Sequence, residues 1–421
     1  MTNQKMKYIR IIILSILTPM IGFATAPVEF ALPHPSGHHS IGTSFFYFTD
    51  KGRLDVHTPD KADFRKLSLQ AWYPADINEN SELIKFNNKE AAEYWVNSGL
   101  FIPAFITDVA LLPAHAYLNA AMADEDKPFP VVLYSASGVM DANILLAEEL
   151  ASHGYVVFFI GHPHWCVYYF DAHGKLFFRD QQNDEYNKKM WREENSEIVV
   201  KTKEQLTLAR TLEEKIRLHK KLSRAMPVES ADIKLWAEDI AFIVDELKRL
   251  NDADTFFNKK LDLNNIGVIG YSKGGAAAGQ VCIVEEICKA GVNLSGFMFG
   301  DIVDKPLKVP FMIIENVEPW CQDCPPINDL LYHTSESDIY MLQVKGSTHG
   351  NFTDLSAFSV YLSDERKNIL GSIGGRRFLQ IQNDFVRHFF NKYLKGIQAP
   401  LLDGPAQEYP EVIFKSRKSC R

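Results

Sequence analysis

The chain predicts an α/β fold: a doubly wound, mostly parallel sheet that carries a helical insertion. Three observations point there. Residues 131–161 read as strand, helix, strand. Residues 266–287 read as strand, Gly-x-Ser-x-Gly, helix. Three more short apolar runs then follow, at 291–294, 309–314 and 339–344. Strands buried on both faces read as near-continuous aliphatic runs, which is the pattern of these segments.

Each element has its own warrant. Residues 27–64 are rich in Pro and Gly and read as turns. The alternation Leu-Ser-Leu-Gln-Ala-Trp-Tyr at 67–73 is that of a half-buried strand. The apolar stretch 100–112 reads either as a helix over a site mouth or as a core helix. After the strand 131–135, a helix over 141–153 places Ile144, Leu145 and Leu150 together, and Gly154 supplies its C-cap. The strand 155–161 completes a parallel βαβ unit. Residues 181–228 are crowded with Lys, Arg, Glu and Asp and read as one or two exposed helices, a lid or solvated decoration. Residues 235–250 form an amphipathic helix on Leu235, Ile240, Ile243, Leu247 and Leu250. A helix over 378–394 and an extended tail at 400–415 close the chain.

With 421 residues, 46% of them hydrophobic, the chain can bury a sizeable core. Its formal net charge of −8 does not suit a nucleic-acid partner. Lys5, Lys7 and Arg10 precede an apolar run at 11–24 that ends in small residues, so residues 1–26 read as an export signal. No later run is apolar enough to cross a bilayer, so membrane contact is expected to be peripheral at most, in a periplasmic or secreted protein. Six cysteines in an exported chain suggest disulfides. Cys321-x-x-Cys324 has no second pair or nearby His to complete a zinc site and reads as structural. Neither a metal nor an organic cofactor is implied.

The chemistry centres on Gly270-Tyr271-Ser272-Lys273-Gly274, between strand and helix. That context makes a nucleophile elbow, in which Gly270 and Gly274 relieve crowding around Ser272. A serine hydroxyl needs a base and an oxyanion hole. His349, in a loop directly after the strand 339–344, has the downstream position such a base takes. The oxyanion donors are expected to be the Lys273 N–H and an N–H after the strand 131–135, from Gly138 or Val139. The orienting acid is expected after one of the next two strands. Glu318 is favoured, with Asp301 and Glu315 as alternatives.

Several stretches resemble one family. They include Trp72-Tyr73-Pro74-Ala75, Leu150-Ala151-Ser152-His153-Gly154-Tyr155, Trp236-Ala237-Glu238-Asp239-Ile240, the elbow, and Gly346-Ser347-Thr348-His349-Gly350-Asn351-Phe352. Over roughly residues 31–414 the chain looks like the plasma-type platelet-activating factor acetylhydrolases and their bacterial α/β-hydrolase relatives. The resemblance implies an α/β-hydrolase fold, calcium-independent hydrolysis of short or oxidised acyl esters including phospholipid sn-2 groups, and Ser272 and His349 as nucleophile and base. The sequence departs from the family at three places. The family acid follows Leu in a Leu-Asp pair, and here the pair is Leu294-Ser295. The oxyanion His-Gly reads Ala136-Ser137. The insertion 181–228 is long. Related polyester and dienelactone hydrolases take the acid from the following strand, as Glu318 would. The expectation is an exported serine carboxylesterase acting on a small-molecule or lipid ester. An amidase, or an impaired hydrolase that only binds, is the alternative.

Overall fold

The computed structural model describes residues 31–421 apart from 59, 98–103, 139–141, 172, 174, 179–184, 254–255, 317–327, 363–368 and 420–421. One sheet organises it. The parallel centre is β6 (Phe129–Ser135), β7 (Val156–Gly161), β10 (Leu261–Tyr271), β11 (Cys288–Leu294), β12 (Phe311–Asn316) and β13 (Ile339–Val344). On one flank lie β1 (Ser40–Leu54), β2 (Phe64–Asp76), β3 (Leu83–Lys85), β4 (Pro113–Leu118) and β5 (Ala121–Met122). On the other, β14 (Val412–Arg417) pairs antiparallel with β13. The order is β14-β13-β12-β11-β10-β6-β7-β2-β1-β4-β3, with β5 on β2. A hairpin of β8 (Tyr168–Phe170) and β9 (Leu176–Phe178) stands apart.

Two expectations change. The turn-rich segment 27–64 contains a long strand, β1, because Phe45, Phe46, Tyr47 and Phe48 pair with β2 across an aromatic run that lacks clean alternation. The extended tail becomes an edge strand, β14, which covers the exposed side of β13.

Helices cover both faces. They are α1 (Lys89–Asn97), α2 (Ile106–Ala110), α3 (Ile144–Ser152), α4 (Glu185–Glu194), α5 (Glu197–Leu208), α6 (Leu212–Ala225), α7 (Pro227–Asp252), α8 (Lys273–Val284), α9 (Asp329–Thr334) and α10 (Gly375–Leu394). Gly267 lets α10 lie close to β10, since a Cβ there would sit 2.5 Å from the Phe390 ring. The chain leaves β6 for β7 on one side, then returns through α4–α7 to place β10 on the other side of β6. That reversal makes the carboxyl ends of β6 and β10 the topological switch point, the place where ligands bind in open α/β sheets.

Candidate active site

Ser272 follows β10 with φ 56° and ψ −127°, and Lys273 begins α8. A left-handed backbone at a residue other than Gly costs about 1–3 kcal/mol and persists only where the surroundings enforce it. Here the glycines are part of the enforcement. A Cβ on Gly270 would lie 2.2 Å from the Gly274 carbonyl, and one on Gly274 would lie 2.0 Å from Ser135 O. The flanking side chains would thus strike one another and β6 rather than the serine itself. The Ser272 N–H donates to Leu294 O at 2.9 Å, which ties the elbow to the end of β11.

His349 opens a single 3₁₀ turn after β13, capped reciprocally by Thr348 and Asn351. Two contacts bring it to the elbow. Tyr271 stacks on the imidazole at 4.6 Å, and its hydroxyl donates to His349 O at 3.1 Å. On the β11 side, Ser295 Oγ lies 2.9 Å from His349 Nδ1. The next residue, Gly296, runs so close to the elbow that a Cβ there would lie 2.0 Å from Ser272 O. With Nδ1 engaged by Ser295, Nε2 is the nitrogen that a base towards Ser272 would use. Burial withdraws the imidazole from water and lowers its pKa to about 4.

Among the described residues, Nδ1 meets a hydroxyl. Ser295 has φ 54°, and its Oγ–H donates to Asn316 Oδ1 at 2.8 Å. Asp301, the alternative acid, is not at the site. It lies in the 3₁₀ segment Gly300–Val303 and is paired with Lys234 at 2.8 Å and Lys305 at 3.1 Å. The hydrogen bond from Lys234 leads in lowering its pKa to about 2. Glu315 neighbours Asn316 on β12. Strand alternation turns it away, to Asn328 Nδ2 at 2.5 Å, and burial raises its pKa. Glu318 lies outside the described residues. Ser295 and Asn316 carry no charge, so a search for an acid passes over them. The available signal was position, because Ser295 stands directly after Leu294 at the end of β11.

The two oxyanion candidates stand past the ends of β6 and β10. The Lys273 N–H is in the first turn of α8, where unpaired amides gather. Gly138, just past β6, has φ +78°, and open space adjoins it where a Cβ would stand. Val139 lies outside the described residues. The Val167 N–H donates to Gly138 O at 3.0 Å and Trp165 Nε1 donates to Ser137 Oγ at 3.1 Å, so the segment 165–167 braces the loop. The Asn143 side chain donates to Phe352 O, which ties the far end of this loop to the turn carrying His349.

The Lys273 side chain has work of its own. It is buried, with Nζ 2.7 Å from Asp232 and 3.0 Å from Glu229 of α7, and 4.0 Å from the centre of the Trp165 ring. Tyr186 and Met190 of α4 border the same ammonium. The insertion therefore reaches the back of the elbow, which its charge pattern alone does not reveal. A second Ser–His–Asp row lies below. Ser135 Oγ is 2.9 Å from His162 Nε2, and His162 Nδ1 is 2.9 Å from Asp239, which Arg65 grips through two 2.7 Å bonds. All four side chains are fully buried, so no substrate reaches them. Burial by itself would raise the Asp239 pKa, but the adjoining guanidinium holds it well below the carboxylate range. Among the described residues, no cluster of His, Cys, Asp or Glu is disposed to hold a metal. A cleft of about 350 Å³, lined by Phe45, Trp72, Phe86, Ile144 and Phe170, opens beside β1 and β2. It lies three strands from β10, about 14 Å at ~4.8 Å per strand.

Comparison with known proteins bears on the fold and the family. The family model for platelet-activating factor acetylhydrolase, isoform II, matches residues 28–398. The chain is similar to the platelet-activating factor acetylhydrolase of Bos taurus, 22% identical over 390 residues that cover 87% of this chain and 78% of the relative. It is also similar to a probable 1-alkyl-2-acetylglycerophosphocholine esterase of Arthroderma benhamiae, 21% identical over 426 residues, 93% of this chain and 95% of the relative. Among solved structures, a ferulic acid esterase from Streptomyces cinnamoneus shares the fold, with a TM-score of 0.69 at 22% identity over 90% of this chain and 98% of that one. An α/β-hydrolase sheet with a nucleophile elbow, matched by this model over most of its length, is a carboxylic ester hydrolase, and the chain belongs to the platelet-activating factor acetylhydrolase, isoform II, family.

Proposed function

We propose that this chain is an exported serine esterase that cleaves short acyl esters, phospholipid sn-2 acyl groups among them, through a covalent acyl-enzyme. One juxtaposition carries the reading. Ser272 stands on its elbow between Tyr271, stacked on His349, and the Leu294-Ser295 step that anchors His349 Nδ1. Ser272 Oγ attacks the ester carbonyl while His349 Nε2 takes its proton. The tetrahedral oxyanion is held by the N–H groups of Lys273 and Gly138. The imidazolium returns its proton to the leaving alcohol, and the same base then activates the water that frees the acid.

The bonding of Trp165 and Val167 to the loop that carries Gly138 supports a lipid ester, because it brings residues with apolar side chains to that loop. The names borne by the two relatives point the same way. The basic and apolar N-terminus supports export. A fluorophosphonate probe is expected to label the parent protein and not Ser272→Ala, with kcat of that variant down about 10⁴–10⁶-fold. Labelling that survives the substitution would remove Ser272 from its role. A 2-acetyl phospholipid is expected to turn over faster than its 2-palmitoyl counterpart. The opposite preference would end the short-chain reading. Mature protein that still starts at Met1 would end the export reading.

A further inference from the structure

We propose that the buried Lys273 side chain and the Trp165 indole form one link that sets the spacing of the two oxyanion donors, which makes both side chains positioning groups for ester hydrolysis. The inference rests on the reading of Ser272 and of the Lys273 and Gly138 N–H groups given above.

The two donors come from separate parts of the chain. The Lys273 N–H opens α8, while Gly138 stands just past β6. An oxyanion is stabilised only where both N–H groups meet the same oxygen at about 2.7–3.1 Å. Gly138, at φ +78°, is of the residue type with the widest backbone freedom, so its local sequence does not fix the direction of its N–H. Residues 165–167 supply that restraint. Ser137 and Gly138 share the peptide that bears the donor. Trp165 Nε1 donates to Ser137 Oγ at 3.1 Å, and the Val167 N–H donates to Gly138 O at 3.0 Å.

The residue with the first donor grips the same indole. Lys273 Nζ lies 4.0 Å from the centre of the Trp165 ring and 5.4 Å from that of Trp236. A cation over an indole face is attracted by the ring quadrupole, more strongly where water is excluded, and Lys273 is buried. The ammonium is fixed in turn by Asp232 at 2.7 Å and Glu229 at 3.0 Å. One unbroken run of contacts therefore leads from the Lys273 backbone through its side chain, Trp165 and Ser137 to the Gly138 N–H. Charge pairing alone would account for the two carboxylates. It does not call for an indole between the ammonium and Ser137. The backbone adds an independent observation. His164, directly before Trp165, has φ 65°, and Asp55 holds its Nε2 at 3.1 Å. Strain of this kind at a residue other than Gly persists where the surroundings enforce it, and it clusters at sites of function.

Trp165→Phe removes the N–H that Ser137 accepts and keeps an aromatic face for the ammonium. It is expected to lower kcat on a short p-nitrophenyl ester about 10-fold with KM unchanged, since a misplacement of about 1 Å can cost up to 10²-fold. Ser137→Ala, which removes the acceptor, should lose as much. The double variant should lose no more than either single one, because all three lack the same bond. A trifluoromethyl ketone separates positioning from mere support of the fold. Ser272 Oγ adds to its carbonyl, His349 takes the proton, and the carbonyl oxygen becomes an oxyanion. Its inhibition constant should rise in each variant by the factor by which kcat/KM falls. Lys273→Met combined with Asp232→Asn, assayed per folded molecule, should show the same parallel loss. Trp165→Phe at parent kcat, losses that multiply in the double variant, or a lowered kcat with unchanged ketone affinity would overturn the link. A parent that neither turns over the ester nor binds the ketone would end the proposed function and the link with it. A parent that does both, with variants that match it, would end the link alone.

Discussion

A serine hydroxyl loses its proton far above neutral pH, so the reactivity of position 272 is set by what surrounds it. The surrounding group that titrates is His349, and burial lowers its pKa to about 4. Among the described residues, Tyr271 from β10 stacks on it and Ser295 from β11 meets its Nδ1, with Asn316 of β12 behind. Only the neutral imidazole can accept the Ser272 proton. Activity is therefore present above the lowered pKa and lost as pH falls through it. We predict that kcat/KM stays level from neutral pH down to about pH 5 and halves near pH 4, measured after checking that activity returns on neutralisation. A midpoint near 6.5, the ordinary value for imidazole, would refute it. At this scale, Ser272 and His349 are legible in the sequence because glycine spacing and chain order mark them. The meeting of Ser295 and Asn316 with His349 is not, because it depends on where β11 and β12 end in space.

The insertion shows why elements are harder to read than motifs. Its charges dominate the composition of 181–228, yet it forms three helices with buried positions. In α5 these are Val199, Thr202 and Leu206, and in α6 they are Leu218, His219 and Leu222. The apolar positions are few and spaced by one or two turns, so they disappear among the Lys and Glu between them. The carboxylate of Glu193, in α4, accepts the N–H groups of Val228 and Glu229 and so caps α7. α7 in turn supplies the two carboxylates that hold Lys273. We predict that Lys273→Met, which strands Asp232 and Glu229 in a buried site, lowers unfolding stability by about 3–5 kcal/mol in urea titrations. Adding Asp232→Asn should recover part of that loss. If the single variant is as stable as the parent, the clamp contributes nothing to the fold.

On the scale of the whole molecule, the Arg65–Asp239–His162–Ser135 row joins β2, α7, the end of β7 and β6 in a single buried line. It repeats the residue types of a catalytic triad without access to solvent. Removing the Asp239 charge leaves the Arg65 guanidinium buried and poorly paired. Asp239→Asn is predicted to cost about 3–5 kcal/mol of stability. Fluorophosphonate labelling per folded molecule should stay at the parent level. Loss of labelling in a variant that remains folded would mean the row acts in catalysis rather than in support. The same row fixes β6 beneath the elbow, where Gly274 packs on Ser135 O.

By itself the sequence determined the parallel α/β sheet and the elbow, and it set the proposed base downstream of the proposed nucleophile, because those depend on local periodicity, glycine spacing and chain order. Tertiary structure alone decided that Asp301 is bound by Lys234 and Lys305, that a hydroxyl meets His349 Nδ1, and that Lys273 is clamped by the insertion. It also paired Cys282 with Cys288, which the spacing alone left open. The physical reason is the same in each case. Which side chain meets which depends on strand ends and loop turns that bring together residues from separate parts of the chain, and no local pattern encodes that meeting.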